Sequence, residues 1–110
     1  PTNWEAAAPS LLDLLQLEEE GFRRRFQGTP IERIKRQRLV RNACVAAGNW
    51  RSATMVPHLC TLLRDPEPLI RGHAAWALRQ INTVDAQREL QIAFCDEHDE
   101  RVRTEIAGFR

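Results

Sequence analysis

The hydrophobic positions of this 110-residue chain recur at helical spacing, and the alternation typical of β-strands is missing. Ser10 precedes the run LLDLLQL and is predicted to cap a short helix. A second helix is predicted from about Glu18 to Gln27, with Gly28 ending it. The pattern predicts an all-α protein.

The next helix is predicted from its N-terminal signals. The stretch Thr29-Pro30-Ile31-Glu32 combines a capping box with proline at the first helical position. The helix is expected to run to about Ala47, where Gly48-Asn49 ends it. Its first half is basic, its second half, VRNACVAA, is apolar almost all round, and we therefore expect one solvated end and one buried end.

Three segments share one pattern: LVRNACVAA, LIRGHAAWAL and RVRTEIAGF. In each, a β-branched residue precedes an arginine, and the arginines Arg41, Arg71 and Arg103 recur after 30 and then 32 residues. Two amphipathic helices fit within each unit, which predicts an α-solenoid of about three helical-hairpin repeats. The repeated position favours a structural role for Arg71 and Arg103, each pairing with an acid in a turn such as Asp65 or Asp99. Arg41 also belongs to a basic block, and its role stays open.

Charge is unevenly distributed in a chain whose net charge is only +1. Residues 22–51 contain nine cations and one acid, whereas the rest contains seven arginines and fourteen acids. Acids within helical reach of the block are almost absent, so pairing along the helix cannot neutralise it. Arginine suits phosphate because its planar fork donates two parallel hydrogen bonds. The alternative is a merely solvated helix face. The residues predicted to contact nucleic acid are Arg33, Lys35, Arg36, Arg38, Arg41 and Asn42.

Other candidate chemistry is sparse. Cys44, Cys60 and Cys95 are isolated within apolar helical patterns, so we expect three buried small hydrophobes in a reducing cytoplasm and no metal site. No Ser/His/Asp set, carboxylate pair or glycine-rich phosphate loop is present. Trp76 is expected in the core between repeats, whereas Trp4 and Trp50 lie at element edges, where they either anchor a helix end or stack on a base.

A family resemblance follows from two stretches. DPEPLIRGHAAWALRQI resembles the second half of a HEAT-like repeat. The run from Leu11 to Asn49 resembles the start of the C-terminal domain of epoxyqueuosine reductases, through Phe22 and Phe26, the GTPI motif at 28–31, and the later elements Arg33, Arg36, Arg41-Asn42 and Ala47-Gly48-Asn49. Lys35 departs from the family, since many relatives have glycine there.

The resemblance implies a fold and a role. The family reduces epoxyqueuosine to queuosine at a tRNA anticodon, using cobalamin and two [4Fe-4S] clusters held by preceding domains. Three isolated cysteines cannot supply four cluster ligands, so the resemblance implies a cytoplasmic module that binds the tRNA anticodon arm and does no chemistry itself. Residues 1–28 would lead in from the catalytic and iron–sulfur domains, and residues 29–110 would form the HEAT-like repeats. A chain that begins with Pro1 is expected to be a piece of a longer protein.

Two alternatives remain at this stage. A HEAT-like scaffold for protein–protein interaction would expose an apolar or acidic groove instead of a basic face. A lyase-like module would need a nucleophilic cysteine in an electropositive pocket, and Cys44 lies nearest to the arginines.

Overall fold

The computed structural model describes residues 10–108, and every regular element among them is an α-helix or a 3-10 helix. The α-helices are α1 (Leu11–Leu15), α2 (Glu19–Phe26), α3 (Arg36–Trp50), α4 (Val56–Leu62), α5 (Pro68–Ile81), α6 (Val84–Asp96) and α7 (Glu100–Ala107). Two 3-10 helices, Pro30–Ile34 and Ala53–Met55, precede α3 and α4. None of these helices is long and apolar enough to cross a membrane.

The first two helices of the described chain form as predicted. The Ser10 hydroxyl accepts a hydrogen bond from the Asp13 backbone N–H at 3.1 Å, and the Asp13 carboxylate accepts one from the Ser10 N–H at 3.4 Å. This reciprocal pair satisfies two donors that the helix itself leaves unpaired. Gly28 lies beyond α2 with φ +78°, which glycine adopts without the penalty of a Cβ atom.

The single helix predicted from Pro30 to Ala47 is wrong, because the chain breaks at Lys35. Residues 30–34 form a 3-10 helix, and α3 begins only at Arg36. Lys35 between them has φ +71° and ψ +149°, a region that residues other than glycine rarely adopt. The capping box at Thr29 is also absent. The Thr29 hydroxyl instead donates backward to the Phe26 carbonyl at 2.7 Å, and Glu32 accepts from the Gly28 N–H.

The predicted end of this helix at Gly48 is wrong as well. Helix α3 continues to Trp50, and Arg51 ends it in the left-handed conformation with φ +59°. Gly48 has a packing role, since a Cβ atom there would lie 2.5 Å from the Trp76 ring and 3.0 Å from the Cα of Ala77. The missing side chain therefore lets α3 approach α5 closely.

The α-solenoid is confirmed. Helices α3, α5 and α7 form one layer, in which α5 packs between its two neighbours, and α4 and α6 form the second layer. Val40, Ile70 and Val102, which precede the three repeat arginines, are buried to 0%, 0% and 2% exposure. The same hydrophobic position thus enters the core in each repeat. Helices α1 and α2 and the turn between them share this core through Leu15, Leu17, Phe22 and Phe26.

The cysteines and tryptophans differ in burial. Cys44 is buried as expected and Cys60 is half-buried, but Cys95 is exposed, so its expected burial is wrong. Trp76, on α5, is half-buried against Gly48 of α3. Trp50 is 62% exposed and therefore does not anchor the end of α3, while Trp4 lies outside the described residues.

Candidate nucleic-acid interface

Arg36 holds the fold together instead of facing solvent. Its Nε donates to the Leu17 carbonyl at 2.8 Å, and its two terminal nitrogens donate to the Asp65 carboxylate at 2.5 and 3.2 Å. The two side chains are only 10% and 6% exposed. Burial alone would lower the pKa of Arg36, but the hydrogen bond and charge of Asp65 outweigh it and raise the pKa. The prediction that Arg36 lies on an exposed basic face is wrong, because α3 begins at this residue and turns it inward.

Arg71 and Arg103 have the structural role that the repeat predicts. Arg71 donates to both carboxylate oxygens of Glu97 at 2.8 and 3.0 Å, and to the Asp65 carbonyl at 2.8 Å. Arg103 donates to the carbonyls of Phe94 and Glu97 and lies over the Phe94 ring at 4.0 Å. These arginines thus hold the turns before α5 and before α7 against the helices. The acid paired with Arg71 is Glu97 and the one nearest Arg103 is Glu100, whereas the Asp99 carboxylate caps α7.

Arg41 is the repeat arginine that this ladder leaves out. The acid in the turn between α4 and α5, Asp65, is already paired with Arg36. Arg41 instead donates from Nε to the side-chain oxygen of its neighbour Asn42 at 2.8 Å. It forms no ion pair with any acid among residues 10–108. Arg41 is half-buried and Asn42 is exposed, so both present donors at the surface of α3.

The ion pairs divide the described cations into two groups. Of the nine cations in residues 22–51, only Arg36 pairs with an acid within the described chain. Of the six in residues 52–108, only Arg101 does not. The cations of the first group without an ion pair to residues 10–108 are Arg23, Arg24, Arg25, Arg33, Lys35, Arg38, Arg41 and Arg51.

We call four of these cations, together with Asn42, the basic strip: Arg33, Lys35, Arg38, Arg41 and Asn42. The first three are exposed around the start of α3. Arg38 and Asn42 are one helical turn apart, so they share a face, and Arg41 flanks it. Arg38, Arg41 and Asn42 therefore present guanidinium and amide donors on one side of α3, and the exposed Arg33 and Lys35 lie just before its start. Guanidinium groups of this kind suit phosphate.

Cys44 and Cys60 do not fit nucleophilic chemistry, and the three cysteines do not fit a metal cluster. Burial, together with the charge of Asp65, raises the pKa of Cys44 to about 12. Burial raises the pKa of Cys60 to about 11. Both thiols therefore stay protonated at neutral pH, contrary to what the lyase alternative needs. The three cysteines lie on α3, α4 and α6, and residues 10–108 contain no group of three or more His, Cys, Asp or Glu side chains placed to hold a metal ion.

Comparison with known proteins defines the class first. Residues 35–108 match the family model for HEAT repeats, and the chain belongs to that family. The more particular similarity is to epoxyqueuosine reductases. The chain is 33% identical over 105 residues to the enzyme of Listeria monocytogenes, covering 94% of this chain and 28% of the relative. It is 34% identical over 103 residues to that of Bacillus subtilis, covering 93% and 27%.

The solved structures agree with these relatives. A crystal structure of epoxyqueuosine reductase with an epoxyqueuosine-modified tRNA-Tyr stem loop superimposes with a TM-score of 0.85 at 34% identity. The match covers 94% of this chain and 28% of that one. The resemblance inferred from the GTPI and Arg-Asn motifs is confirmed. The chain spans little more than a quarter of these relatives, at 27% and 28% of their length.

Proposed function

We propose that this chain is the tRNA-binding module of an epoxyqueuosine reductase, contacting the phosphates of the anticodon arm through the basic strip. The observation that carries the proposal is the separation of the cations. All but one in residues 22–51 lack an ion pair with residues 10–108, while most in the second half have one. Clustered charge without internal partners is best explained by an external anion. The crystallised relative with a tRNA stem loop supports RNA as that anion.

Binding of this kind positions the RNA but does not read its sequence. Contacts to phosphate fix the register of an RNA stem and supply salt-dependent affinity, whereas base identity is read elsewhere. In this proposal Arg38 and Arg41 grip the backbone with two-pronged hydrogen bonds, and Lys35 adds a point charge. Arg36 is not in the set, because its donors are used by Leu17 and Asp65.

The rest of the parent protein would supply the chemistry. We propose that residues 1–28 lead in from catalytic and iron–sulfur domains and that residues 29–110 form the repeat part of a cytoplasmic enzyme. Cobalamin and [4Fe-4S] clusters would belong to those other domains, since the cysteines here do not fit a cluster. The chain itself would take part in the last step of queuosine biosynthesis through binding alone.

Salt dependence tests the proposal. Affinity of the chain for a tRNA-Tyr anticodon stem–loop is measured by fluorescence anisotropy over a series of salt concentrations. If three or four phosphates are neutralised by the strip, log K against log salt should have a slope of roughly −2 to −4. Changing Arg38 and Arg41 together to Gln should flatten the slope by about one to two units.

The matched control changes Arg64 and Arg88 together to Gln. Both are exposed, at 58% and 62%, and both already have acidic partners within the described chain. Because two arginines are replaced in each double variant, the net charge changes by the same amount in both. Their loss should alter the slope far less. An equal effect from both pairs would reduce the binding to nonspecific attraction, and an affinity without salt dependence would favour the protein-scaffold alternative.

A further inference from the structure

A half-open groove of about 430 Å³ lies on the layer formed by α3, α5 and α7. Its apolar floor is formed mainly by Val45, Leu69, Trp76 and Val102. The volume falls within the roughly 300–1,000 Å³ typical of sites that enclose a small organic group. An exposed apolar groove is also what a protein-binding scaffold would have. The polar groups and neighbours of the groove decide between the two kinds of occupant.

Two glycines shape the groove, Gly72 by leaving space in it and Gly48 by letting Trp76 pack closely against α3. A Cβ atom on Gly72 would meet only a Val102 methyl, at 3.9 Å, so Gly72 leaves free space at the surface. Gly48 lets the six-membered ring of Trp76 lie directly against α3. The indole is therefore fixed in place while it still lines the groove.

The groove adjoins the basic strip. Val45, which lines it, lies one helical turn beyond Arg41 on α3. At its other side Arg101 is the one cation of residues 52–108 that has no ion pair with residues 10–108. The groove thus lies between Arg41 and a second available guanidinium.

The acids at the groove already have partners. Asp99 accepts hydrogen bonds from the N–H groups of Arg101 and Val102 at 2.9 and 3.1 Å, and Glu105 pairs with Arg79 at 3.3 Å. The Arg101 guanidinium, by contrast, has no ion pair with residues 10–108 and is available to an anionic ligand at this rim.

His73 supplies a hydrogen-bond acceptor. Its Nδ1 lies 2.8 Å from the Leu69 carbonyl oxygen. A carbonyl only accepts, so Nδ1 carries the hydrogen and Nε2 of the neutral ring is an acceptor. The exocyclic amino group of a nucleobase is a donor of matching kind.

We propose that the groove binds one unpaired nucleobase of the RNA, stacked against Trp76, with its phosphate on Arg101. The inference rests on the proposed function and extends the path of the RNA from the basic strip across α5 to α7. Single-stranded RNA is recognised in this manner, by stacking of splayed bases on aromatic side chains beside basic groups.

A plug variant gives the sharpest test. Gly72→Met fills the groove, and its Cβ fits without a clash, while methionine is a better helix former than glycine. Its melting temperature should therefore equal or exceed that of the unmodified chain. Affinity is measured for the anticodon stem–loop and for a blunt duplex with the same stem and no unpaired loop. Gly72→Met and Trp76→Leu should each weaken stem–loop binding by roughly tenfold and leave duplex binding unchanged.

Two variants serve as controls. Trp50→Leu is the control for Trp76→Leu, because it removes an exposed tryptophan outside the groove. Arg88→Gln on α6 is the control for Arg101→Gln, because both remove one positive charge. Arg101→Gln should weaken stem–loop binding more than duplex binding, and the two controls should not.

The outcomes separate this inference from the proposed function. Stem–loop affinity within twofold of the unmodified chain for Gly72→Met would overturn the nucleobase site, leave the strip in place and favour a protein segment as occupant. Equal weakening towards stem–loop and duplex would overturn it too. A chain that binds neither RNA would overturn the proposed function and, with it, this site.

Discussion

Arg36→Met is the substitution on which sequence and structure disagree most clearly. Seen as part of a basic run, Arg36 should matter for RNA and little for stability. In the structure the change removes three hydrogen-bond donors and leaves the Asp65 carboxylate, which is 6% exposed, without its cation. Breaking a buried pair from one side costs about 3–5 kcal/mol. That is a large share of the roughly 5–15 kcal/mol by which a domain is stable.

The free energy of unfolding is measured by urea denaturation followed by far-ultraviolet circular dichroism. Arg38→Met is the matched control, because Arg38 is an exposed arginine on the same helix with no acidic partner among residues 10–108. We expect it to change stability by less than about 0.5 kcal/mol. Arg36→Lys keeps the charge but cannot reach Leu17 and Asp65 together, so it should give an intermediate loss if Arg36→Met is too unstable to purify.

A double variant isolates the pair itself. With Arg36→Met in place, Asp65→Asn removes the uncompensated charge and should recover part of the lost stability. Together with Asp65→Asn alone, these variants should give a coupling energy of about 0.5–3 kcal/mol. Folded Arg36→Lys should keep the salt slope for RNA, whereas Arg38→Met should flatten it by about one unit. Equal urea midpoints for Arg36→Met and Arg38→Met would refute a stabilising role for the buried Arg36–Asp65 pair.

Two further predictions follow from backbone geometry and ionisation. Lys35→Gly should stabilise the chain by about 1 kcal/mol, because relief of a strain of about 1–3 kcal/mol exceeds the entropy cost of glycine; urea midpoints should rise for glycine but not for the charge-matched Lys35→Ala. Burial would raise the pKa of Glu97, but the hydrogen bond and charge of Arg71 outweigh it and lower the pKa. The stability that Glu97 provides should be complete above its unfolded pKa of about 4.3. It should disappear as pH falls through the lower folded value. The unmodified chain should therefore lose more stability than Glu97→Gln between about pH 5 and 3, and an equal loss in the two would contradict this.

The helices and the repeat can be predicted from the sequence because both depend on residues that are close together in the chain. Val40, Ile70 and Val102 precede three equivalent arginines, and all three enter the core. Ser10 and Gly28 mark helix ends through backbone chemistry that needs no distant partner. Periodicity fails at Lys35, because nothing in a run of helix-forming residues reveals a backbone with φ +71°.

The candidate site is only partly predictable because pairing depends on distant residues. Arg36 and Asp65 are 29 positions apart, and no local rule selects Arg36 over its neighbours. Gly48 likewise looks like a helix end, although its meaning lies in Trp76 on another helix. The groove around Trp76 was missed for the same reason, since its walls come from three helices. Its sequence signal, a small residue at Gly72 beside His73 on an apolar helix, reads equally well as core packing.

A shift in the pairing of arginines with turn acids explains why Arg41 has no acidic partner among residues 10–108. In the later repeat the acid of the turn, Glu97, is reached by Arg71 from within α5. In the earlier one Asp65 is reached by Arg36 from the first residue of α3, which leaves Arg41 without that partner although it occupies the same repeat position as Arg71. Arg36 thus stabilises the fold, and Arg41, which is equivalent to the structural Arg71, is available at the surface. Stability and RNA affinity should therefore respond to different members of the same basic run.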